Sequence, residues 1–86
     1  MHSVDSVRYR VGDVVKSIAG KDKGTFYVVV DRCGRFVYLA GPKNGMKRLK
    51  RKNIIHIQKT NMRLKKLIFK EVDGVLKTIN ERGRVA

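Results

Sequence analysis

Short apolar segments alternate with turn-forming segments over the first sixty positions, in a pattern typical of β-strands. Residues 12–19 (GDVVKSIA), 25–31 (TFYVVVD) and 36–40 (FVYLA) are rich in β-branched and aromatic residues, which favour strands. Two segments with turn chemistry, RCGR and GPKNG, follow the second and third of these strands. After the short basic segment MKRLKRK, residues 53–58 (NIIHIQ) are the last strand candidate, so four or five short strands are expected in all.

The central strands carry apolar side chains on both faces. In a small closed barrel one face of such a strand lines the interior, and the other is partly covered. Several short strands separated by turns within about fifty residues are typical of small barrels. We therefore expect a mainly β fold in which residues 1–60 form a small barrel.

The pattern changes to helical spacing after residue 60. Apolar side chains recur every four residues at Leu64, Ile68, Val72 and Leu76. This spacing predicts a basic helical extension over residues 61–80, with Asn61 as N-cap and Gly74 as a stop signal, followed by a tail at 81–86. The pair Asp73-Gly74 between apolar segments is also typical of a β-hairpin. Leucine and lysine outnumber β-branched residues here, which favours the helix.

The charge of the chain points to a polyanionic partner. Lysine and arginine number 21 against 7 aspartates and glutamates, which gives a net charge of +14. Such a chain attracts nucleic acid or an anionic membrane. No apolar segment approaches the ~20 residues of a membrane span, and the start MHSVDSVRYRVGD lacks the apolar segment of a signal peptide. We expect no membrane partner.

Composition also argues against catalysis. The single Cys33 excludes an internal disulfide and a cysteine metal pair, and fits a reducing, cytoplasmic setting. Neither a pair of carboxylates in a plausible site nor a set of metal ligands stands out. We expect a protein that is not an enzyme and uses no cofactor, metal or small-molecule substrate.

The segment AGKDKGT, residues 19–25, resembles a phosphate-binding loop at first sight. A P-loop ends in Gly-Lys-Ser/Thr and opens a helix, whereas Asp22 follows Lys21 here and a predicted strand follows the segment. We therefore interpret it as a turn in which Gly20 and Gly24 adopt positive φ. Lys21 and Lys23 then project outward, and Asp22 bonds local backbone amides.

A long acid-free segment gives the strongest signal for phosphate binding. From Arg32 to Lys70 there are 13 basic residues and no acidic one, whereas a solvated surface intersperses both signs. Together with the turn lysines, this segment supplies the predicted contacts to RNA. These are Lys21, Lys23, Lys43, Lys47, Arg48, Lys50, Arg51, Lys52, Arg63 and Lys66.

The aromatic residues and His56 are assigned structural roles. Phe26, Tyr27, Phe36 and Tyr38 lie in predicted strands, where core packing is the default for aromatic rings. Lysine and arginine contact phosphates with little regard to base identity. The expected target is therefore folded RNA that is recognised by its shape and backbone.

Residues 11–30, VGDVVKSIAGKDKGTFYVVV, resemble a KOW motif. The resemblance extends downstream, where LAGP, a basic segment and NIIHIQKT are similar to the ending of the large-subunit ribosomal protein family of the fourteen-e type. It covers about residues 11–60 and departs at Lys59, where that family usually has proline. Bacterial stand-alone KOW proteins are similar in length and in their lysine-rich extension.

The resemblance implies an SH3-like barrel and a ribosome-associated, cytoplasmic protein. The implied partners are large-subunit ribosomal RNA and neighbouring ribosomal proteins. A second hypothesis is a protein-docking module of the transcription or translation machinery, since other KOW domains tether such factors. A nonspecific DNA-binding protein is a third.

Overall fold

A computed structural model describes residues 8–84. The chain forms five strands and one helix: β1 Asp13–Ser17, β2 Phe26–Cys33, β3 Phe36–Gly41, β4 Gly45–Asn53, β5 Ile57–Arg63 and α1 Phe69–Arg84. A 3₁₀ turn, Ile54–His56, links β4 to β5. All strand pairs are antiparallel, in the order β4-β3-β2-β1-β5. The predicted mainly β fold of five strands with a C-terminal helix is confirmed.

The sheet curls into a barrel-like shape. Its two edge strands, β4 and β5, are consecutive in the chain and are joined by the three-residue 3₁₀ turn, so the two edges must approach each other. The register of pairing shifts once in each of three strand pairs, β1 with β5, β2 with β3 and β3 with β4. Such bulges increase the local twist and bending of a sheet.

Adjacent valines supply the two faces of the sheet. Val15 and Val29 belong to the interior cluster, which also contains Leu39 and Ile57. Their neighbours in the chain point to the opposite face, as the period of a strand requires, and pack beneath the helix. This outer cluster contains Val14, Val28, Ala40, Val72 and Leu76. The expectation that both faces are covered is therefore confirmed.

The helix α1 packs on the outer face, but it begins and ends later than predicted. Asn61 lies inside β5 and is not an N-cap, because β5 continues to Arg63 in pairing with β1. Gly74 lies within α1 and does not stop it. The hairpin alternative is wrong for residues 69–84. Residues 81–84, predicted as tail, are helical, while 85–86 lie outside the described residues.

Two further boundaries differ from the sequence prediction. The basic segment 46–52 belongs to β4, one of the longest strands in the sheet. The segment 53–58 does not form one strand, because Asn53 accepts a hydrogen bond from the backbone N–H of Ile55 and starts the 3₁₀ turn. β5 begins only at Ile57.

Candidate nucleic-acid interface

Residues 20–24, the GKDKG loop, form a tight turn between β1 and β2. Backbone hydrogen bonds from Lys23 N to Gly20 O and from Thr25 N to Asp22 O close it. Gly20 and Gly24 have positive φ, as expected of a chain reversal that favours glycine. Lys21 and Lys23 are exposed at the tip. The predicted turn conformation is confirmed.

Asp22 points inward from this loop and accepts four hydrogen bonds from side chains. Its Oδ1 accepts from Ser17 Oγ at 3.0 Å and pairs with Lys52 Nζ at 2.8 Å. Its Oδ2 accepts from Tyr27 OH at 2.5 Å and from Lys50 Nζ at 2.8 Å. The predicted bonds from Asp22 to local backbone amides are therefore wrong. The carboxylate instead ties the loop to β1, β2 and β4.

These contacts change the pKa values of the cluster. Burial alone would raise the pKa of Asp22, but hydrogen bonds from the two lysines, Tyr27 and Ser17 hold it well below its usual range. Burial and the neighbouring carboxylate raise the pKa of Tyr27. Asp22 is therefore charged and Tyr27 is neutral at physiological pH, and the phenol acts as a hydrogen-bond donor to the carboxylate.

Lys50 and Lys52 differ in their availability to a ligand. Lys52 donates to Ser17 Oγ, Ala19 O and the Asp22 carboxylate at 2.7, 3.0 and 2.8 Å, which occupies all three of its N–H groups. Its side chain is only 10% exposed. The Lys50 side chain is 48% exposed; its Nζ donates to Asp22 Oδ2 at 2.8 Å and makes a longer contact of 3.5 Å with Tyr27 OH. Lys50 can still reach a phosphate, whereas Lys52 stabilises the loop.

A first basic depression lies between the GKDKG loop and residues 41–44. It has a volume of about 590 Å³. Basic side chains from three segments line it, namely Lys21, Lys43, Arg48 and Lys50. The hydroxyl of Thr25 and the amide of Asn44 add polar groups to the same lining. Hydrogen-bond donors thus converge on one concave surface from segments that are distant in the sequence.

A second depression, of about 640 Å³, adjoins the first at the GKDKG loop. Lys21 and Lys50 line it as well, and β4 contributes Arg51. Phe36, Asn53 and His56 also line this second depression. Core packing is the expectation for Phe36 from the sequence, but the residue is 39% exposed, because it lies beside a turn at the start of β3.

The remaining predicted residues lie around these depressions or on other surfaces. Lys23 and Lys47 are exposed but do not line either depression. Arg63 lies on β5, with its Nε 3.8 Å from the buried carboxylate of Asp13. Lys66 is exposed in the connection between β5 and α1. The structure thus brings Lys21, Lys43, Arg48 and Lys50 together with Arg51 nearby, and places Arg63 in a separate ion-pair cluster.

The described residues meet neither the requirements of a metal site nor those of a membrane-spanning helix. Among residues 8–84, no group of three or more His, Cys, Asp or Glu side chains is arranged to hold a metal ion. No described helix is long and apolar enough to cross a membrane. Cys33 is exposed at the end of β2.

Comparisons of the chain with protein-family models and with curated proteins find no significant match. The resemblance of residues 11–60 to KOW proteins therefore stays a prediction from the sequence. The two depressions lined by basic side chains are the structural feature that points to a function.

Proposed function

We propose that this chain is a non-catalytic RNA-binding protein that holds folded RNA on the surface formed by the GKDKG loop, residues 41–44 and β4. The observation that carries the proposal is the first basic depression, where four cationic side chains converge. The Asp22 carboxylate in its lining is already neutralised by two lysines. The depression therefore presents an excess of positive charge to an incoming phosphate.

The chemistry of the depression favours a phosphate backbone. Ammonium and guanidinium groups, with hydroxyl and amide donors between them, match phosphate oxygens in charge and hydrogen bonding. A rigid lining lowers the entropic cost of binding, and the bonds from Asp22 to β1, β2 and β4 provide that rigidity. These contacts position RNA without reading its bases, which suits a folded target recognised by its shape.

The ribosomal part of the proposal is supported by the sequence resemblance. Residues 11–60 are similar to KOW proteins of the large ribosomal subunit, and this similarity spans the GKDKG loop and β4. We propose that the chain is a component or an associate of the large subunit, bound to its ribosomal RNA in the cytoplasm. Neighbouring ribosomal proteins are further proposed partners.

A salt titration of binding to structured RNA tests the proposal. If five to eight phosphates are neutralised, log K against log[salt] should fall with a slope of about −4 to −7. A slope near zero, or no binding at about 100 mM salt, would contradict RNA binding and favour the protein-docking role. Equal affinity for duplex DNA and structured RNA would instead favour a nonspecific DNA-binding protein.

Sedimentation of a cell lysate tests the ribosomal assignment separately. The protein should travel with the large subunit at low salt. Retention after a high-salt wash would identify a structural component, and release would identify an associated factor. Absence from the large-subunit fraction at low salt would contradict the ribosomal assignment.

A further inference from the structure

The ring of Phe36 and the guanidinium group of Arg51 are paired on the neighbouring strands β3 and β4. Phe36 begins β3, and this residue is 39% exposed. Arg51 lies on the neighbouring strand β4 opposite Tyr38, so it is a diagonal neighbour of Phe36 on the same face. The guanidinium carbon of Arg51 lies 4.8 Å from the centroid of the Phe36 ring, the distance of a cation–π contact.

The exposure of Phe36 distinguishes it from Phe26 and Tyr27, the two aromatic residues of β2. Tyr27 is 5% exposed and belongs to the interior cluster, and Phe26 packs against the outer cluster beneath α1. Phe36 belongs to neither cluster. Its ring therefore contributes less to the core than theirs, and part of its apolar surface remains available to a ligand.

The surroundings of this pair are cationic and concave. Phe36 and Arg51 line the second depression, together with the exposed His56. Lys21 and Lys50 line the same depression and also the first one. A phosphate held by these lysines would thus be next to a flat apolar ring.

We propose that Phe36 and Arg51 form a stacking platform for one unpaired nucleobase of the bound RNA, while Lys21 and Lys50 hold the adjoining backbone. The inference rests on the proposed RNA binding and adds the class of RNA element that is bound. The face of a base is accessible only where the base has left the helical stack, so the platform selects a bulge, loop or strand end. Stacking on an aromatic ring or a guanidinium plane tolerates any base.

The charge around the platform favours a nucleotide over an apolar protein segment. A protein partner that covered Phe36 would also desolvate Lys21, Lys50 and Arg51, and would have to supply several carboxylates. A nucleotide supplies an aromatic base and an anionic phosphate within one unit. One ligand class therefore satisfies both the exposed ring and the cations beside it.

Two RNA duplexes with equal numbers of phosphates test the inference. One carries a single bulged 2-aminopurine nucleotide, and the other is fully paired. The wild-type protein should bind the bulged duplex more tightly and quench the fluorescence of the 2-aminopurine by stacking. The substitution Phe36→Leu should weaken binding of the bulged duplex about tenfold, abolish the quenching and leave the paired duplex unaffected.

Three variants control for charge and folding. Phe36→Tyr keeps an aromatic face and should retain the preference for the bulge. Arg51→Lys keeps the charge but removes the plane, so it should reduce the quenching. Leu49→Ala alters an exposed apolar residue of the neighbouring strand β4 and should leave binding of both duplexes unaffected.

Three outcomes would overturn the platform. Unchanged preference and quenching in Phe36→Leu, with RNA binding intact, would do so while the proposed function stands. An equal loss on both duplexes would assign Phe36 a structural role instead. Failure of the wild-type protein to bind either duplex would reject the proposed function together with the platform.

Discussion

Asp22 joins the two roles of the GKDKG loop, because one residue sets both its conformation and its charge. Each carboxylate oxygen takes two side-chain donors, from Ser17 and Lys52 on one side and from Tyr27 and Lys50 on the other. This arrangement holds the loop against three strands. The two lysines also balance the negative charge of Asp22, which would otherwise repel a phosphate approaching Lys21.

Replacement of Asp22 by asparagine should lower the free energy of unfolding by about 2–3 kcal/mol, because the Lys52 ammonium loses its charged partner in a largely buried site. The pKa of Asp22 is depressed in the folded chain, so its contribution is complete above the unfolded value of about 3.9 and is lost as the pH falls through and below it. Urea unfolding should therefore give a constant difference between wild type and variant from about pH 7 to 5.

Below about pH 4 the difference between wild type and Asp22→Asn should shrink. Asp31→Asn is the matched control, since Asp31 is exposed on β2 and its Oδ1 accepts only from the adjacent Arg32 N–H among the contacts described. This control should change stability by less than about 0.5 kcal/mol. A wild-type-to-variant difference that stays constant down to pH 2 would contradict the depressed pKa of Asp22.

A close backbone contact requires glycine at position 12, just before β1. Its φ is +96°, and a Cβ at this position would lie 2.2 Å from the carbonyl oxygen of Leu64. The same approach lets the N–H of Leu64 donate to Gly12 O, which ties the chain after β5 to the start of β1. Backbone atoms cannot move away as a flexible side chain can.

Gly12→Ala should therefore destabilise the fold by about 3 kcal/mol or more, measured by chemical denaturation. Gly24→Ala provides the matched control, because Gly24 also has a positive φ, +94°, but nothing lies within 4 Å of its Cβ position. That change should cost only the backbone strain, about 1 kcal/mol. Equal effects of the two substitutions would show that the contact with Leu64 does not matter.

At the scale of elements, α1 is attached to the sheet by packing and by one polar side chain. Val72 and Leu76 are fully buried against the outer face of the sheet. Asn80 accepts from the backbone N–H of Phe26 at 2.7 Å and donates to its carbonyl at 3.1 Å, so it pairs with β2 as a neighbouring strand would. Asn80 of the helix therefore satisfies the backbone N–H and C=O groups of Phe26 at the start of β2.

Gly74 lies in the middle of α1 without a structural need for glycine. It is exposed, its φ is not positive, and a Cβ would meet nothing within 4 Å. Gly74→Ala should raise the free energy of unfolding by about 0.5–1 kcal/mol, because alanine loses less backbone entropy in a helix. Thermal unfolding measures the effect, and a decrease in stability would contradict the helical placement of this residue.

The strands rich in apolar residues could be predicted from the sequence, whereas the highly charged strand β4 could not. The paired valines of β1 and β2 indicate strands with two covered faces, and the structure has them. In β4, five consecutive residues from Lys47 to Arg51 are exposed at the edge of the sheet. The strand therefore lacks the pattern of buried apolar residues by which a strand is predicted from sequence. Its strand state depends on pairing with β3, which is tertiary information.

The extent of β5 and the different roles of two lysines in the candidate site also depend on tertiary contacts. Asn61 has the chemistry of a helix cap, but pairing with β1 keeps it in β5. Lys50 and Lys52 are alike in sequence and lie on the same face of β4, where only their depth distinguishes them. Asp22 binds both lysines, but Ser17 and Ala19 bind only Lys52, and these contacts join segments that are distant in the sequence. The sequence therefore could not identify which lysine is used internally.

For the molecule as a whole, positive charge is distributed unevenly along the chain. Arg32 to Lys70 contains no acid, whereas α1 interleaves Glu71, Asp73 and Glu81 with its basic residues. Binding of a polyanion should therefore depend on where a positive charge lies and not on the net charge alone.

Two triple variants that remove the same number of charges separate these possibilities. Lys21→Gln, Lys43→Gln and Arg48→Gln together neutralise the first basic depression. Lys16→Gln, Lys77→Gln and Arg82→Gln remove three positive charges from the exposed surface of β1 and α1, away from it. The first set should make the slope of log K against log[salt] less negative by about 2 to 3, since each lost phosphate contact contributes roughly 0.7–0.9.

The second set should change the slope by less than about 1, because no lost contact is expected there. Equal changes from both sets would mean that the RNA responds to the overall field of a protein with charge +14, and that the depression is not a defined site. Circular dichroism of both variants provides the folding control. All six side chains are exposed, so their replacement by glutamine leaves both apolar clusters intact.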